Sequence, residues 1–119
     1  MRSFLCGIKM KKFPSLKTSG EFSKVYSFGK KYRGETISLF VLKNDLEFNR
    51  LGISVGKKRG NSVERHRFSR VVRESFKNTC YPFDFGIDII VVANVRLYSS
   101  SSNKIRNEYF SLIHRVVLN

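Results

Sequence analysis

The stretch "GIDIIVVANVR", Gly86 to Arg96, constrains the fold more than any other part of the chain. It is an apolar run rich in β-branched residues. Such a run reads as a strand covered on both faces, because a half-exposed strand alternates apolar and polar residues. The rest of the chain must supply that cover.

Two further segments read as strands. In "ETISLFVLKND" Ile37, Leu39 and Val41 point one way, and Ser38, Phe40 and Leu42 the other. In "LGISVGKK" Leu51, Ile53 and Val55 face one side, and Gly52, Ser54 and Gly56 the other. Between them Asn44-Asp45 is a turn signal, so "NDLEFN" reads as the connecting loop. "TSGEFSKVYSFGKKY" opens on a capping-box pattern, Thr18 with Glu21, and carries Phe22, Val25 and Tyr26 on one helical face. Gly29 is its stop signal. "NKIRNEYFSLIHRVVLN" repeats apolar residues at Ile105, Tyr109, Leu112, Ile113 and Val116, which predicts a C-terminal helix after the serine loop 99–102. The order is helix, two strands, a basic helix, strand, helix. It predicts an α+β fold, a small sheet carrying helices. At 119 residues and 41% hydrophobic, residues 1–119 read as one domain with one core.

The basic helix is the unusual element. "KKRGNSVERHRFSRVVRE", Lys57 to Glu74, holds seven Lys and Arg against two Glu. Asn61 with Glu64 is a variant capping box, so the helix begins at Ser62. On a helical wheel Phe68, Val71, Val72 and Phe76 gather on one side. His66, Arg70, Arg73 and Lys77 gather opposite, with Arg67 at the edge. Arg65 falls nearer the apolar side, in the first turn, where a long side chain reaches past the core. Solvated faces mix signs, because like charges four apart destabilise a helix by roughly a few tenths of a kcal/mol per pair. Here no acid stands between Arg70, Arg73 and Lys77 on that face; Glu74 is at its edge and Glu64 beyond it. Either this charge is solvated and idle, or it faces something acidic that offsets the repulsion. Arginine suits bidentate phosphate contacts, and the preceding loop adds Lys57, Lys58 and Arg59. His66 either hydrogen-bonds a phosphate or 2′-hydroxyl or is simply exposed.

Across the chain, 23 Lys and Arg against nine Asp and Glu give a net charge of +14, with a pI near 10.3. A field of that size speaks of partners: nucleic acid, or an anionic membrane surface. Charge kept for solubility is smaller and mixed in sign, so nucleic acid is the favoured reading. No apolar run approaches about 20 residues, which excludes a membrane-spanning helix in the sequence given. "MRSFLCGIKM" has too short an apolar stretch for a signal peptide. Met10 is a candidate alternative start, which makes residues 1–9 a candidate dispensable extension. Cys6 and Cys80 stand alone without metal-ligand spacing, as expected of a reduced cytoplasmic protein.

At the basic segment the sequence resembles the protein subunit of bacterial ribonuclease P, whose signature is approximately KKxGxAVxRNRxKRxxRE. The matching positions are Lys57, Lys58, Gly60, Val63, Arg65, Arg67, Arg70, Arg73 and Glu74. The "EFSKVY", "LGISVGKK" and "DIIVVA" segments have counterparts in the same order. His66 stands where the family usually has Asn, Ser62 where it has Ala, and Ser69 where it has a basic residue. The resemblance implies a central sheet with the basic helix in a left-handed β-α-β crossover, against the general right-handed rule. It implies that the protein binds the catalytic RNA subunit through the basic loop and helix. It implies that precursor tRNA is the substrate, cut in an RNA-catalysed reaction for which Mg²⁺ is expected. Its 5′ leader would lie in a cleft between the first helix and the sheet, lined by Phe22, Tyr26 and Phe40. Single-stranded RNA is commonly held by basic grooves with aromatic platforms, although rings also pack in cores.

The residues argue against a catalytic centre in the protein itself. The only histidines are His66 and His114, and no glycine-rich phosphate loop is visible. Asp84 and Asp88 lie near a strand start, where such a pair is more often a solvated turn. A ribosomal-type structural RNA-binding protein and a small basic ribonuclease are the rival readings.

Overall fold

A computed structural model gives the fold and describes residues 15–79, 81, 83 and 85–118. Met10, residues 1–9, Cys6, Cys80 and Asp84 lie outside them. Four strands form one mixed sheet: β1 (Lys30–Arg33), β2 (Ile37–Lys43), β3 (Arg50–Ser54) and β4 (Ile87–Ala93), in the order β1-β2-β4-β3. β1 and β2 are antiparallel, β2 and β4 are antiparallel, and β3 and β4 are parallel. Three helices complete the α+β fold: α1 (Ser19–Phe28), α2 (Ser62–Lys77) and α3 (Ser102–Leu118). The parallel pairing requires a crossover between β3 and β4, and α2 makes it.

β4 is covered on both faces, as its composition predicts. Ile87, Ile89, Val91 and Ala93 enter the main core with Ile37, Leu39 and Leu51. There they meet Phe68, Val71, Val72 and Phe76 of α2 and Ile105, Tyr109, Leu112, Ile113 and Val116 of α3. On the other face Ile90 is buried with Val25 of α1 and Leu16, and Phe22, Phe40, Leu42 and Val92 pack around them. Ile89, Ile90 and Val91 have no exposed surface, and burial of such a side chain contributes about 1.5–3 kcal/mol.

The sequence reading misses β1. "KKYR" has no apolar alternation to mark it, yet Tyr32 enters the main core while Lys30, Lys31 and Arg33 are exposed. Gly29 ends α1 as expected but for a different reason. Its φ is −79°, outside the left-handed region. A Cβ there would meet the Val41 carbonyl oxygen at 2.9 Å, so glycine lets the chain turn closely against β2. Gly52 has a similar role: a Cβ would lie 2.8 Å from the Phe22 ring. Its absence seats α1 directly on the sheet.

An ion bridge fixes α1 at its N-terminus. The Thr18 hydroxyl accepts the Glu21 amide at 3.1 Å, and Glu21 Oε1 accepts the amides of Lys17 and Thr18 at 2.7 and 3.0 Å. Glu21 Oε2 accepts from Arg50 Nη1 at 2.8 Å, and Arg50 also donates two bonds to Asp88 on β4, at 2.8 and 2.7 Å. Asp88 is therefore a buried partner rather than part of a solvated turn. The amides of Lys17 and Thr18, then the Arg50 charge, lower the Glu21 pKa from 4.5 to about 2.

A depressed carboxylate pKa stabilises the fold above the unfolded value and loses that contribution as pH falls through the folded one. The melting-temperature gap between wild type and Glu21→Gln should be full above pH 4.5 and close towards pH 2. A gap that stays constant across an acid titration would show that the Glu21 charge does not hold α1.

Candidate nucleic-acid interface

The basic segment is built as a loop and a capped helix. Lys57–Arg59 form a single 3₁₀ turn. Asn61 Oδ1 then accepts the Glu64 amide at 2.8 Å, and Glu64 Oε1 accepts the Asn61 amide at 2.9 Å. α2 starts at Ser62, as its sequence predicts. Phe68, Val71, Val72 and Phe76 are buried, and Ser75 joins them by donating to the Val71 carbonyl at 2.8 Å. His66, Arg70, Arg73 and Lys77 are exposed on the opposite face.

The arginines of this face and the basic loop before it are not neutralised by ion pairs among the described residues. Glu64 is turned to its cap, and Glu74 leans to Arg106 of α3 at 3.9 Å. Lys57, Lys58, Arg59, Arg70 and Arg73 have no ion pair with the described residues. An uncompensated row of guanidinium and ammonium groups is a surface for a polyanion.

Two arginines of the signature have internal work as well. Arg67 Nη2 donates to the carbonyls of Leu97 and Ser100 at 2.8 and 2.9 Å, and Nη1 to Ser102 Oγ at 3.3 Å. It thus ties α2 to the turn that starts α3. Arg65 Nε donates to the Gly60 carbonyl at 3.2 Å, bracing the basic loop. The wheel places both residues correctly but does not show these partners, which come from the other end of the chain or from the loop.

The three predicted cleft aromatics do come together. Tyr26 meets Phe40 edge-on at 4.9 Å between centroids, and Phe22 lies 6.5 Å from Tyr26. Tyr26 is 39% exposed, while Phe22 and Phe40 are half-buried. Beside this aromatic edge the face of β4 continues to Val92. There an open recess of about 600 Å³ is lined by Ser54, Val92, Ala93 and Gly56 to Arg59. The basic loop and the aromatic face therefore border one surface. Sequence reading missed the Glu21–Arg50–Asp88 bridge that positions it. Its signal was a charged residue inside an otherwise apolar run. Among the described residues no three of His, Cys, Asp and Glu gather as a metal site.

Arg67 and the outer arginines should behave differently on truncation. Arg67→Ala takes the side-chain donor from the Ser100 carbonyl, while the Leu97 carbonyl keeps the Ser100 amide at 3.1 Å, and should cost about 1–3 kcal/mol of stability. Arg70→Ala with Arg73→Ala should change stability by no more than about 0.5 kcal/mol, yet lower RNA affinity clearly. Thermal melts and RNA-binding titrations of both variants check this. Equal destabilisation in the two would remove the distinction.

The family model described as Ribonuclease P matches residues 10–117. The ribonuclease P protein component of Lachnoclostridium phytofermentans is 40% identical over 105 residues, covering 87% of this chain and 90% of that one. That of Thermoanaerobacter pseudethanolicus is 37% identical over 108 residues, covering 91% and 93%. Among solved structures, the Staphylococcus aureus RNase P protein superposes with a TM-score of 0.80 at 29% identity, covering 91% of this chain and 100% of that one. The Thermotoga maritima protein superposes with 0.74 at 27% identity, covering 85% and 96%. Fold, basic signature and relatives agree: the chain belongs to the ribonuclease P protein family, the protein component that associates with ribonuclease P RNA in a ribonucleoprotein endoribonuclease of tRNA 5′-leader processing.

Proposed function

We propose that the two surfaces divide the work of the complex. Lys57, Lys58, Arg59, Arg65, His66, Arg67, Arg70, Arg73 and Lys77 bind the catalytic RNA. Phe22, Tyr26 and Phe40 contact the 5′ leader of precursor tRNA. The observation that carries this reading is a separation by face: the exposed cationic side of α2 points away from one side of the sheet, the half-exposed aromatic cluster lies with α1 on the other, and the basic loop reaches the edge of that second face at Val92. Phosphates need the first and unstacked bases the second. Residues 1–119 act as one domain, with residues 1–9 a dispensable extension. The α2 crossover has the family's left-handed sense, and the protein works in the cytoplasm. No helix of the described residues is long and apolar enough to cross a membrane.

Hydrolysis belongs to the RNA and its Mg²⁺ on this reading. The protein supplies binding: its cations lower repulsion between two RNAs, and its aromatics give the leader a place that mature tRNA does not use. Protein freed of RNA should leave precursor tRNA intact at any Mg²⁺ concentration, and adding the catalytic RNA should restore 5′ cleavage. Specific cleavage by the protein alone would make it a ribonuclease in its own right.

The leader assignment has its own test. Base stacking on an aromatic is worth about 1–3 kcal/mol by alanine substitution. Tyr26→Ala should therefore weaken the assembled complex for precursor tRNA and leave mature tRNA almost untouched. Equal losses for both ligands would mean that Tyr26 acts through packing or through the catalytic RNA.

A further inference from the structure

Strand register defines a row of the sheet that α1 leaves uncovered. Residues directly paired across strands face the same side. Lys31, Phe40, Ile90 and Gly52 form one row on the α1 face. α1 closes much of this row, with Phe22 against Gly52 and Val25 beside Ile90. The next row is Arg33, Ser38, Val92 and Ser54, and it ends at the basic loop. Arg33 is exposed, and Val92 and Ser54 are half-buried at the recess. Asn94 covers Ser38, donating to its hydroxyl at 2.9 Å and to the Gly34 carbonyl at 2.9 Å. The row contains no acid.

We propose that single-stranded RNA crosses this row transversely, passing over Asn94 where it covers the buried Ser38, with Lys31 and Arg33 on β1 forming a second phosphate-binding edge opposite Lys57 and Lys58. The proposal rests on the leader-cleft reading and extends it to the far side of the sheet. Three strand spacings of about 4.8 Å put β1 and β3 roughly 14 Å apart. That is too far for both edges to hold one phosphate, so they hold different phosphates of one strand.

A contact ties Lys31 to the cleft, and register puts Arg33, two residues on, on the same face. The Lys31 ammonium lies 5.5 Å from the Phe40 ring centroid, and Phe40 is the ring that Tyr26 meets edge-on. The Arg33 side chain has no partner among the described residues. Only its backbone carbonyl is engaged, by Arg115 Nη1 at 3.0 Å. The competing account is that charges on an edge strand merely block pairing with another sheet. Edge protection does not require the charges to lie beside an aromatic cluster, nor to depend on leader length.

The experiment uses the complex of the full chain with the catalytic RNA, and three ligands: precursor tRNA with a long leader, precursor with a minimal leader, and mature tRNA. Lys31→Ala with Arg33→Ala should weaken the long-leader precursor about two- to thirtyfold, the range of two exposed ion pairs. It should leave the other two ligands and the affinity for the catalytic RNA unchanged. The slope of log affinity against log salt should flatten by about 1.4, from about 0.7 per phosphate on a single strand. Lys31→Arg with Arg33→Lys should bind as wild type. Lys31→Gln with Arg33→Gln keeps long polar side chains and gives the answer if the alanine pair is poorly soluble. Unchanged long-leader affinity, while Tyr26→Ala still lowers it, overturns the second edge and leaves the cleft standing. Equal losses for all three ligands also overturn it, by placing the two cations on the catalytic RNA. A wild-type complex without preference for the leader overturns both readings.

Discussion

Arg50 holds two parts of the structure together, and the functional surface depends on that hold. Its guanidinium forks onto Asp88 of β4 and reaches Glu21 at the start of α1. The buried apolar contact beneath α1 is small, centred on Leu16, Val25 and Ile90. A small contact resists sliding weakly, because dispersion and burial are not directional. A forked arginine is directional. Replacing such a bridge by apolar residues often preserves stability, so its contribution here is to register: it sets where α1 starts on the sheet. Because α1 crosses the strands, from Phe22 at Gly52 of β3 past Val25 at Ile90 of β4 to Gly29 at Val41 of β2, the anchoring of its first turn helps decide which row it covers. Phe22 and Tyr26 stand at that margin, and Val92 and Ser54 lie beyond it.

The acidic residues explain the cationic surface as much as the basic ones do. Glu21 caps α1 and holds Arg50, and Glu64 caps α2. Glu108 Oε1 accepts the amides of Thr36 and Ile37 at 2.7 Å each, fixing the entry to β2. Asp88 is buried against Arg50, Glu35 pairs with Lys104, and Glu74 leans towards Arg106. These carboxylates serve folding, so they are not available to neutralise Arg70, Arg73, Lys57 and Lys58. Mutual repulsion on that face remains in the free protein. A polyanion removes it on binding, and the resulting affinity is steeply salt-dependent.

Much of this was legible in the sequence because it is local or periodic. The start of α2 follows from Asn61 and Glu64, two residues three apart that satisfy one another. The five apolar positions of α3 follow from helical spacing, and all five are buried. β4 is legible from its lack of alternation. β1 was not, because its four residues carry one core side chain and three cations, and only pairing with β2 makes them a strand. Arg67 and Arg70 stand three apart on one helix, and the wheel puts Arg67 only at the edge of the polar face; what the chain brings to it thirty residues later gives it partners that Arg70 lacks. Spacing within a helix does not report that. The Arg50 bridge was hidden for the same reason, since its carboxylates lie 29 and 38 residues away.

The choice of cation also follows the geometry. On α2 the outer face presents mainly arginines on a rigid, capped helix, where a planar fork can match a phosphate held in a folded RNA. Around the sheet row the cations are Lys57, Lys58 and Lys31 together with Arg33 and Arg59, so lysines share the edge with arginines. A lysine is a point charge on a flexible stem, and it accepts a phosphate from many directions. A leader varies in sequence and is not held in one shape, so flexible point charges with an aromatic edge suit it better than forks do. On the proposed assignments the two surfaces thus differ in stiffness as well as in position: the helix would match one fixed partner, and the sheet row would accommodate a variable one.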